Sequence, residues 1–146
     1  MDEVAQNLFV GTATDATDES TLRAHEIEVI VSLTATSPAG NVPAELTLVE
    51  IPMMDGPQNS QEAFETAVAA VGSRLATGEK TLLHCSAGAS RSPAVAATAL
   101  ALHRDSELEA AFQQILTRRP VADPHDALIR QAHAVYQRGT AAFSTS

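Results

Sequence analysis

The sequence predicts an α/β fold in which a central mixed β-sheet is flanked by helices on both faces. Short segments rich in β-branched residues dominate the first half of the chain, and a helix is predicted between most of them, while the second half is almost purely helical in its periodicity. The chain has 146 residues, of which 45% are hydrophobic, and this suits one domain with one core. We therefore expect a single domain over residues 1–146, with residues 140–146 as a frayed tail.

Four strands are expected from short apolar and β-branched runs that are bounded by turn residues. The clearest run is Glu-Val-Ile-Val-Ser-Leu at residues 28–33, and Thr-Leu-Leu-His at residues 81–84 is a shorter one. The predicted strands are residues 4–10, ended by Gly11, and then residues 28–33, 46–51 and 81–84.

Five helices are expected from apolar residues spaced three and four apart and from capping residues at the helix ends. The first is a short helix capped by Asp18 or Ser20 and running to about His25, and the second has Asn59 with Glu62 as a capping box and is ended by Gly78. The third is a buried helix that starts at Ser92-Pro93 and runs through Leu102. The fourth has Ser106 with Glu109 as a second capping box and is stopped by Pro120, and the last starts at Asp123-Pro124 and is ended by Gly139.

Charge and composition exclude several classes of partner. The formal net charge is −9 and Lys80 is the only lysine, so we expect neither nucleic acid nor an anionic membrane as a partner. No apolar run reaches the roughly 18 residues of a membrane span, and the N-terminus lacks the positive region of a signal peptide, which favours the cytoplasm. The acidic, lysine-poor and alanine-rich composition is typical of salt-loving organisms and, equally, of acidic proteins from GC-rich genomes.

The cysteine content limits the chemistry further. Cys85 is the only cysteine, so an internal disulfide and a cysteine-rich metal site are excluded. The histidines outside residue 84 have no spacing typical of metal ligands. We therefore expect no metal and no cofactor.

The strongest functional signal lies in residues 82–93, Leu-Leu-His-Cys-Ser-Ala-Gly-Ala-Ser-Arg-Ser-Pro. A strand leads to Cys85, a loop of small residues follows, and a helix begins at Arg91 or Ser92. This order of strand, small-residue loop and helix N-terminus binds phosphate through backbone N–H groups and the helix dipole. A single cysteine is more often an inert core residue, so it is this context that marks Cys85 as a candidate nucleophile.

The residue types within the loop each have a physical reason. Five residues separate Cys85 from Arg91, which is enough for the loop to curl into a cradle. Gly88 permits backbone angles that a Cβ would forbid, and the planar guanidinium of Arg91 can hold two phosphate oxygens at once. Inward amides and the positive end of the helix would stabilise a thiolate, which is the nucleophilic form of cysteine.

The string His84-Cys85-x-x-Gly88-x-Ser90-Arg91-Ser92 resembles the signature of the protein tyrosine phosphatase superfamily, and its details resemble the dual-specificity branch. The segment Asn-Leu-Phe-Val-Gly at residues 7–11 is similar to the opening strand of that branch, and the region around Arg-Arg-Pro at residues 118–120 is similar to its closing helices. The resemblance covers nearly the whole chain. It implies a dual-specificity phosphatase-like fold and the hydrolysis of phosphomonoesters.

The resemblance also implies a role for each residue of the motif. Cys85 would attack phosphorus and form a phosphocysteine, Ser92 would donate a hydrogen bond to the sulfur, and His84 would lie behind the loop and help to set the ionisation of the thiol. The equatorial phosphate oxygens would be bound by the Arg91 side chain and by the backbone amides of Ser86, Ala87, Gly88, Ala89, Ser90 and Arg91.

The leaving oxygen needs a proton, and the family places the acid that supplies it on a loop about thirty residues before the cysteine. Asp55 lies 85 − 55 = 30 residues before Cys85, follows a predicted strand and sits among turn residues. We therefore expect Asp55 to be the general acid. The alternative for Asp55 is an ordinary turn hydrogen bond, and Asp15 and Asp18 are weaker candidates because they precede or cap the first helix.

The expected substrate is a phosphorylated protein. Only 3% of the residues are aromatic, and no aromatic loop that would clamp a phosphotyrosine ring is evident, so we expect a shallow cleft that accepts phosphotyrosine and also phosphoserine and phosphothreonine. The alternatives are a phosphatase of small phosphates, phosphoinositides or RNA 5′ ends, a phosphate-binding module without turnover, and an arsenate reductase or sulfurtransferase. A monomer is the default expectation for the oligomeric state.

The two arginines near the end of the fourth predicted helix are expected to have a structural role. Arg118 and Arg119 lie in its last turn, where positive charge favours the negative end of the helix dipole. A second phosphate site at these arginines is a less favoured alternative.

Overall fold

A computed structural model describes residues 1–144 of the chain, together with all of their side chains except those of Ala39 and residues 140–144. The strands are β1 (Asp2–Ala5), β2 (Leu8–Gly11), β3 (Val29–Ser32), β4 (Thr47–Glu50) and β5 (Thr81–His84). The helices are α1 (Glu19–Ala24), α2 (Gln61–Thr77), α3 (Arg91–Arg104), α4 (Leu108–Arg118) and α5 (Asp126–Ser144), with short 3₁₀ turns at Asp15–Thr17 and Ala39–Asn41.

The strands form one sheet in the order β1-β2-β5-β3-β4. Strand β5 lies at its centre and pairs in parallel with both β2 and β3, while β1 is antiparallel to β2. The predicted mixed sheet is therefore confirmed. This topology puts the carboxyl end of β5, where Cys85 follows, between the carboxyl ends of two neighbouring parallel strands.

Successive side chains along each strand point to opposite faces of the sheet, so the interior contains two hydrophobic cores, one on each face. Leu83, with Val10 and Val31 of the neighbouring strands, faces the larger core under α2, α3, α4 and α5. Leu82, with Phe9 and Ile30, faces a smaller core that is closed by Leu22 of α1 and by other residues. Helices therefore lie on both faces, as the sequence predicts, but the α1 face is thinly covered.

The predicted single strand over residues 4–10 is wrong, because the segment folds into the β1–β2 hairpin. Asn7 adopts a left-handed backbone conformation with φ of 66°, and asparagine tolerates this conformation better than most residues. The reversal at Asn7 lets apolar residues on both sides of it, Val4 and Leu8, enter the same core.

Two of the predicted helix caps are displaced and one is confirmed. The Asp18 side chain accepts a hydrogen bond from the Thr21 amide and caps α1. Helix α2 is capped by Ser60, which accepts from the Ala63 amide, so the predicted capping box at Asn59 is off by one residue. Helix α4 has Glu107 as its N-cap residue, without a side-chain cap, so the predicted cap at Ser106 is wrong.

The last helix is longer than predicted. Helix α5 continues through Gly139 to Ser144, whereas Gly139 and the residues after it were expected to lie beyond its end. A Cβ at Gly139 would lie 2.6 Å from Cδ2 of Leu102 on α3, so the glycine allows close packing of two helices instead of ending one. Residues 145 and 146 lie outside the described residues. Within residues 1–144, no helix is both long enough and apolar enough to cross a membrane.

Candidate active site

The Cys85–Arg91 loop connects the central strand to the most buried helix of the fold. Strand β5 ends at His84, and α3 begins at Arg91. All ten residues from Ser92 to Ala101 of α3 are buried, because neighbouring helices pack around it. The ends of the loop are therefore fixed by the two central elements of the molecule.

Cys85 lies at the base of this loop beside the first turn of α3. The residue is 2% exposed, and its Sγ is 3.1 Å from the Oγ of Ser92, which is itself buried. A thiolate can only accept a hydrogen bond, so the Ser92 hydroxyl is the donor whenever Cys85 is ionised. The structure thus brings Cys85 and Ser92 into direct contact.

The carbonyl groups of the loop all bind to the surrounding scaffold. Each of the five carbonyls from Cys85 to Ala89 accepts a hydrogen bond from a residue outside the loop. The donors are His84 Nδ1 to Cys85 at 3.3 Å, the Ala13 amide to Ser86 at 3.1 Å, Arg119 Nη2 to Ala87 at 3.3 Å, Arg119 Nε to Gly88 at 2.7 Å, and the Asp123 amide to Ala89 at 2.6 Å.

This pattern fixes the direction of the loop amides. In a trans peptide the C=O and the following N–H point in opposite directions, so carbonyls held outward turn the amides of residues 86–90 toward the inside of the loop. Within residues 1–144, no hydrogen bond is found from the amides of residues 86–91 to any acceptor. The loop is therefore a ring of unpaired donors beside Cys85, and such a ring suits an oxyanion.

Arg119 holds two of these carbonyls, and sequence reasoning missed this role. The residue is 5% exposed, and its side chain forms an ion pair with Asp2 at 2.9 Å, in addition to its bonds to Ala87 and Gly88. The expectation that Arg119 complements the end of α4 is wrong for the side chain, which turns away from the helix to the Cys85–Arg91 loop. Arg118 remains exposed.

Gly88 allows the loop to approach this arginine closely. Its φ is 66°, and a Cβ at this position would lie 2.6 Å from Arg119 Nη2 and 2.6 Å from the Gly11 carbonyl oxygen. Any side chain at position 88 would therefore displace the buried arginine or the end of β2.

Arg91 is anchored at its tip, while its Nε–H is left without a partner in the described part of the chain. Nη1 donates to the Met53 carbonyl at 3.0 Å, and Nη2 donates to the Ser86 hydroxyl at 3.0 Å. Its Nε is buried and has no hydrogen-bond partner among the described residues. A buried unpaired donor is costly, and an anion in the loop would supply an acceptor.

Asp55 lies against the same loop. Its Oδ1 accepts a hydrogen bond of 2.6 Å from the Ser90 hydroxyl, and the Ser90 Oγ accepts in turn from the His125 amide at 2.8 Å. The two weaker candidates for the acid have other partners, because Asp15 accepts from the Thr12 amide and Asp18 caps α1. Of the three aspartates, Asp55 is the one whose carboxylate accepts a hydrogen bond from the Cys85–Arg91 loop.

His84 is buried next to Cys85, and its imidazole contacts the backbone of the loop. A carbonyl can only accept, so the contact between Nδ1 and the Cys85 carbonyl requires the proton on Nδ1. Burial lowers the pKa of His84 below its usual value, and the nearby Arg91 charge acts in the same direction, while the bond to the Cys85 carbonyl and the Asp15 charge oppose this shift.

An open groove of about 370 Å³ leads away from the loop. It is lined by Ala13, Thr17, the segment Thr34 to Pro38, His84, Ser86 and Arg91. No Phe, Tyr or Trp is among these lining residues, so an aromatic clamp is not part of this groove.

The fold and this loop together define the class of cysteine-dependent phosphatases. The sequence pattern of the family described as "Dual specificity phosphatase, catalytic domain" matches residues 8–138, and the chain belongs to this family. It is 33% identical over 123 residues to human dual specificity phosphatase 28, an alignment that covers 84% of this chain and 69% of that protein.

Solved structures give the same assignment. The crystal structure of human DUSP28 superposes with a TM-score of 0.87 at 28% identity and covers 97% of this chain and 99% of that one. A mouse putative dual specificity phosphatase, solved as a complex with zinc tungstate, superposes with a TM-score of 0.86 at 30% identity over 96% of this chain and 88% of that one. The protein is thus similar to dual specificity phosphatases over nearly its whole length.

Replacing Arg119 by Lys is expected to weaken binding of inorganic phosphate by about tenfold or more. A lysine keeps the charge but cannot hold the carbonyls of Ala87 and Gly88 together, and hydrogen bonds of charged groups contribute about 1.5–3 kcal/mol. Isothermal titration calorimetry measures the effect, with Arg118→Lys on the exposed neighbour as the matched control. Equal phosphate affinity in a folded Arg119→Lys variant would contradict the role of Arg119.

The lowered pKa of His84 predicts a stability that falls on the acid side of neutrality. Below about pH 6.5 the unfolded histidine takes up a proton more readily than the buried one, whose pKa is lowered, so protonation favours unfolding. The free energy of unfolding should therefore decrease from pH 7 to pH 5, and less steeply in His84→Gln. Denaturant titrations at several pH values test this, with His103→Gln, at an exposed position, retaining the wild-type slope; parallel curves for His84→Gln and wild type would count against it.

Proposed function

We propose that this phosphatase hydrolyses phosphomonoesters of proteins through a phosphocysteine on Cys85. The observation that carries the proposal is the set of amides of residues 86–90, which turn toward the inside of the loop and have no acceptor among the described residues. A phosphoryl group has three non-bridging oxygens, and these amides with Arg91 offer donors to all of them. Donors fixed in place before the reaction stabilise the charge that develops in the transition state.

In the first step the Cys85 thiolate attacks phosphorus, and the bond from phosphorus to the ester oxygen breaks. Asp55 gives its proton to the departing oxygen, so an alcohol or phenol leaves. In the second step water attacks the phosphocysteine, and the Asp55 carboxylate takes the proton of that water. The sulfur–phosphorus bond then breaks, and the Ser92 hydroxyl, 3.1 Å from the sulfur, stabilises the returning thiolate.

The substrate class follows from the family and from the groove. The dual specificity phosphatase family implies phosphorylated proteins as substrates. Apart from His84 and Arg91, the residues that line the groove are small or carry a hydroxyl, and they impose little on the shape of the leaving group. We therefore propose hydrolysis of phosphotyrosine together with phosphoserine and phosphothreonine.

Turnover of p-nitrophenyl phosphate in the presence of a metal chelator is the direct test. The wild-type protein should release p-nitrophenol, and Cys85→Ser should abolish release, because a serine hydroxyl is a much weaker nucleophile than a thiolate. The mouse relative was solved with zinc tungstate, so tungstate is the probe of the binding step. Cys85→Ser should still bind tungstate, and turnover that survives this substitution would refute the proposed nucleophile.

Asp55→Asn tests the general acid. Without a proton donor, the rate of hydrolysis of a phosphoserine peptide should fall by about 10²–10⁴-fold. The rate of hydrolysis of a phosphate ester of an acidic phenol should fall much less. The ratio of kcat/KM values for the two substrates is the measurement. A ratio equal to that of the wild type would show that another residue is the acid.

A further inference from the structure

The loop that bears Asp55 is tied to the N-terminal half of α5 at a second place, away from Cys85. We call residues 53–59 the acid loop, and Asn59 is at its end. Asn59 is 5% exposed, and its Oδ1 accepts from the Met54 amide at 3.0 Å. This bond closes the acid loop on itself, because it joins the residue before Asp55 to the last residue of the loop.

Gln131 of α5 completes this closure. The Nδ2 of Asn59 donates to the Oε1 of Gln131 at 2.9 Å, and the Nε2 of Gln131 donates to the backbone carbonyl of Asn59 at 2.6 Å. The donors and acceptors are fixed by chemistry: the Met54 amide can only donate, so the oxygen of Asn59 faces it and its nitrogen faces Gln131. The orientation of the Gln131 amide is thereby fixed as well, and each hydrogen bond of the pair joins an N–H donor to an oxygen acceptor.

Further anchors of the acid loop lie after β3, where the Leu33 carbonyl accepts from the Met53 amide, on the Cys85–Arg91 loop and next to α5. Arg91 donates to the Met53 carbonyl, and Ser90 donates to Asp55. Ser90 accepts in turn from the His125 amide, just before α5 begins. Asp55 is thus held between the loop that binds the phosphoryl group and the helix that carries Gln131.

We propose that the Asn59–Gln131 amide pair is a positioning device for the proton transfer by Asp55. The inference rests on the proposed function, in which Asp55 is the general acid. Among the described residues, the hydrogen bonds of the Gln131 side chain go to Asn59 and not to Asp55 or the Cys85–Arg91 loop, so Gln131 acts through Asn59 and the Met54 amide that precedes Asp55. General acid catalysis is sensitive to such placement, because a displacement of about 1 Å can cost about 10²-fold in rate.

Gln131→Glu is the sharpest variant. The change keeps the shape of the side chain but replaces the Nε2 donor by an oxygen, which then faces the Asn59 carbonyl. We expect kcat/KM for a phosphoserine peptide to fall by about tenfold or more. For 2,4-dinitrophenyl phosphate, whose phenolate leaves without a proton, we expect a change of less than about twofold, and tungstate affinity should be unchanged because the Cys85–Arg91 loop is intact.

Two controls separate positioning from a general loss of structure. Gln113→Glu adds the same charge at an exposed position of α4 and should leave both substrates unaffected. Gln131→Met removes both hydrogen bonds without adding charge, and it should show the same selective loss. It also serves as the test variant if Gln131→Glu does not fold.

The decisive measurement combines Gln131→Glu with Asp55→Asn. If Gln131 acts through Asp55, adding Gln131→Glu to Asp55→Asn should cause no further loss on the phosphoserine peptide. Equal losses on both substrates, or a full additional loss in the Asp55→Asn background, would overturn the inference while leaving the phosphatase function in place. Absence of turnover in the wild-type protein would instead overturn the proposed function and, with it, this role of Gln131.

Discussion

The site depends on one constraint, which is that the carbonyls of residues 85–89 are held outward by the scaffold. Because each peptide unit is planar and trans, this single condition turns the following amides inward. Residues 86–89 carry only the small side chains of Ser, Ala, Gly and Ala, so their own bulk does not impose this geometry. The enforcement comes from five donors outside it, two of which belong to one buried guanidinium, Arg119.

The segment between α4 and α5 contacts both halves of the site. Arg119 and Asp123 hold the Cys85–Arg91 loop, and the His125 amide holds the Ser90 hydroxyl that contacts Asp55. One stretch of chain thus sets the distance between the ring of amides and the candidate acid. The residues that would contact the phosphoryl group are therefore different from the residues that hold them in position. Most of the residues that hold them lie in the last quarter of the sequence.

Sequence reasoning predicts the parts of the site that are local in the chain. Strand β5, the loop and the start of α3 follow one another within a few residues, so their signals are visible together. The hairpin at Asn7 was missed because its turn depends on one left-handed residue inside a continuous apolar run. The role of Arg119 was missed because its partners, Gly88 and Asp2, lie 31 and 117 residues away. The doubled arginine before Pro120 was the only local sign, and it fits an ordinary helix end equally well.

The burial of Arg119 also explains why strand β1 contributes to the support of the Cys85–Arg91 loop. A buried guanidinium is costly unless its charge is paired and its donors are satisfied. The carbonyls of Ala87 and Gly88 satisfy donors but carry no full charge, so the charge is balanced by Asp2 at 2.9 Å. Asp2 lies on the edge strand, outside the segment 8–138 that matches the family. The edge strand therefore contributes an electrostatic partner to the support of the loop, and the geometry around Cys85 is coupled to the hairpin that Asn7 creates.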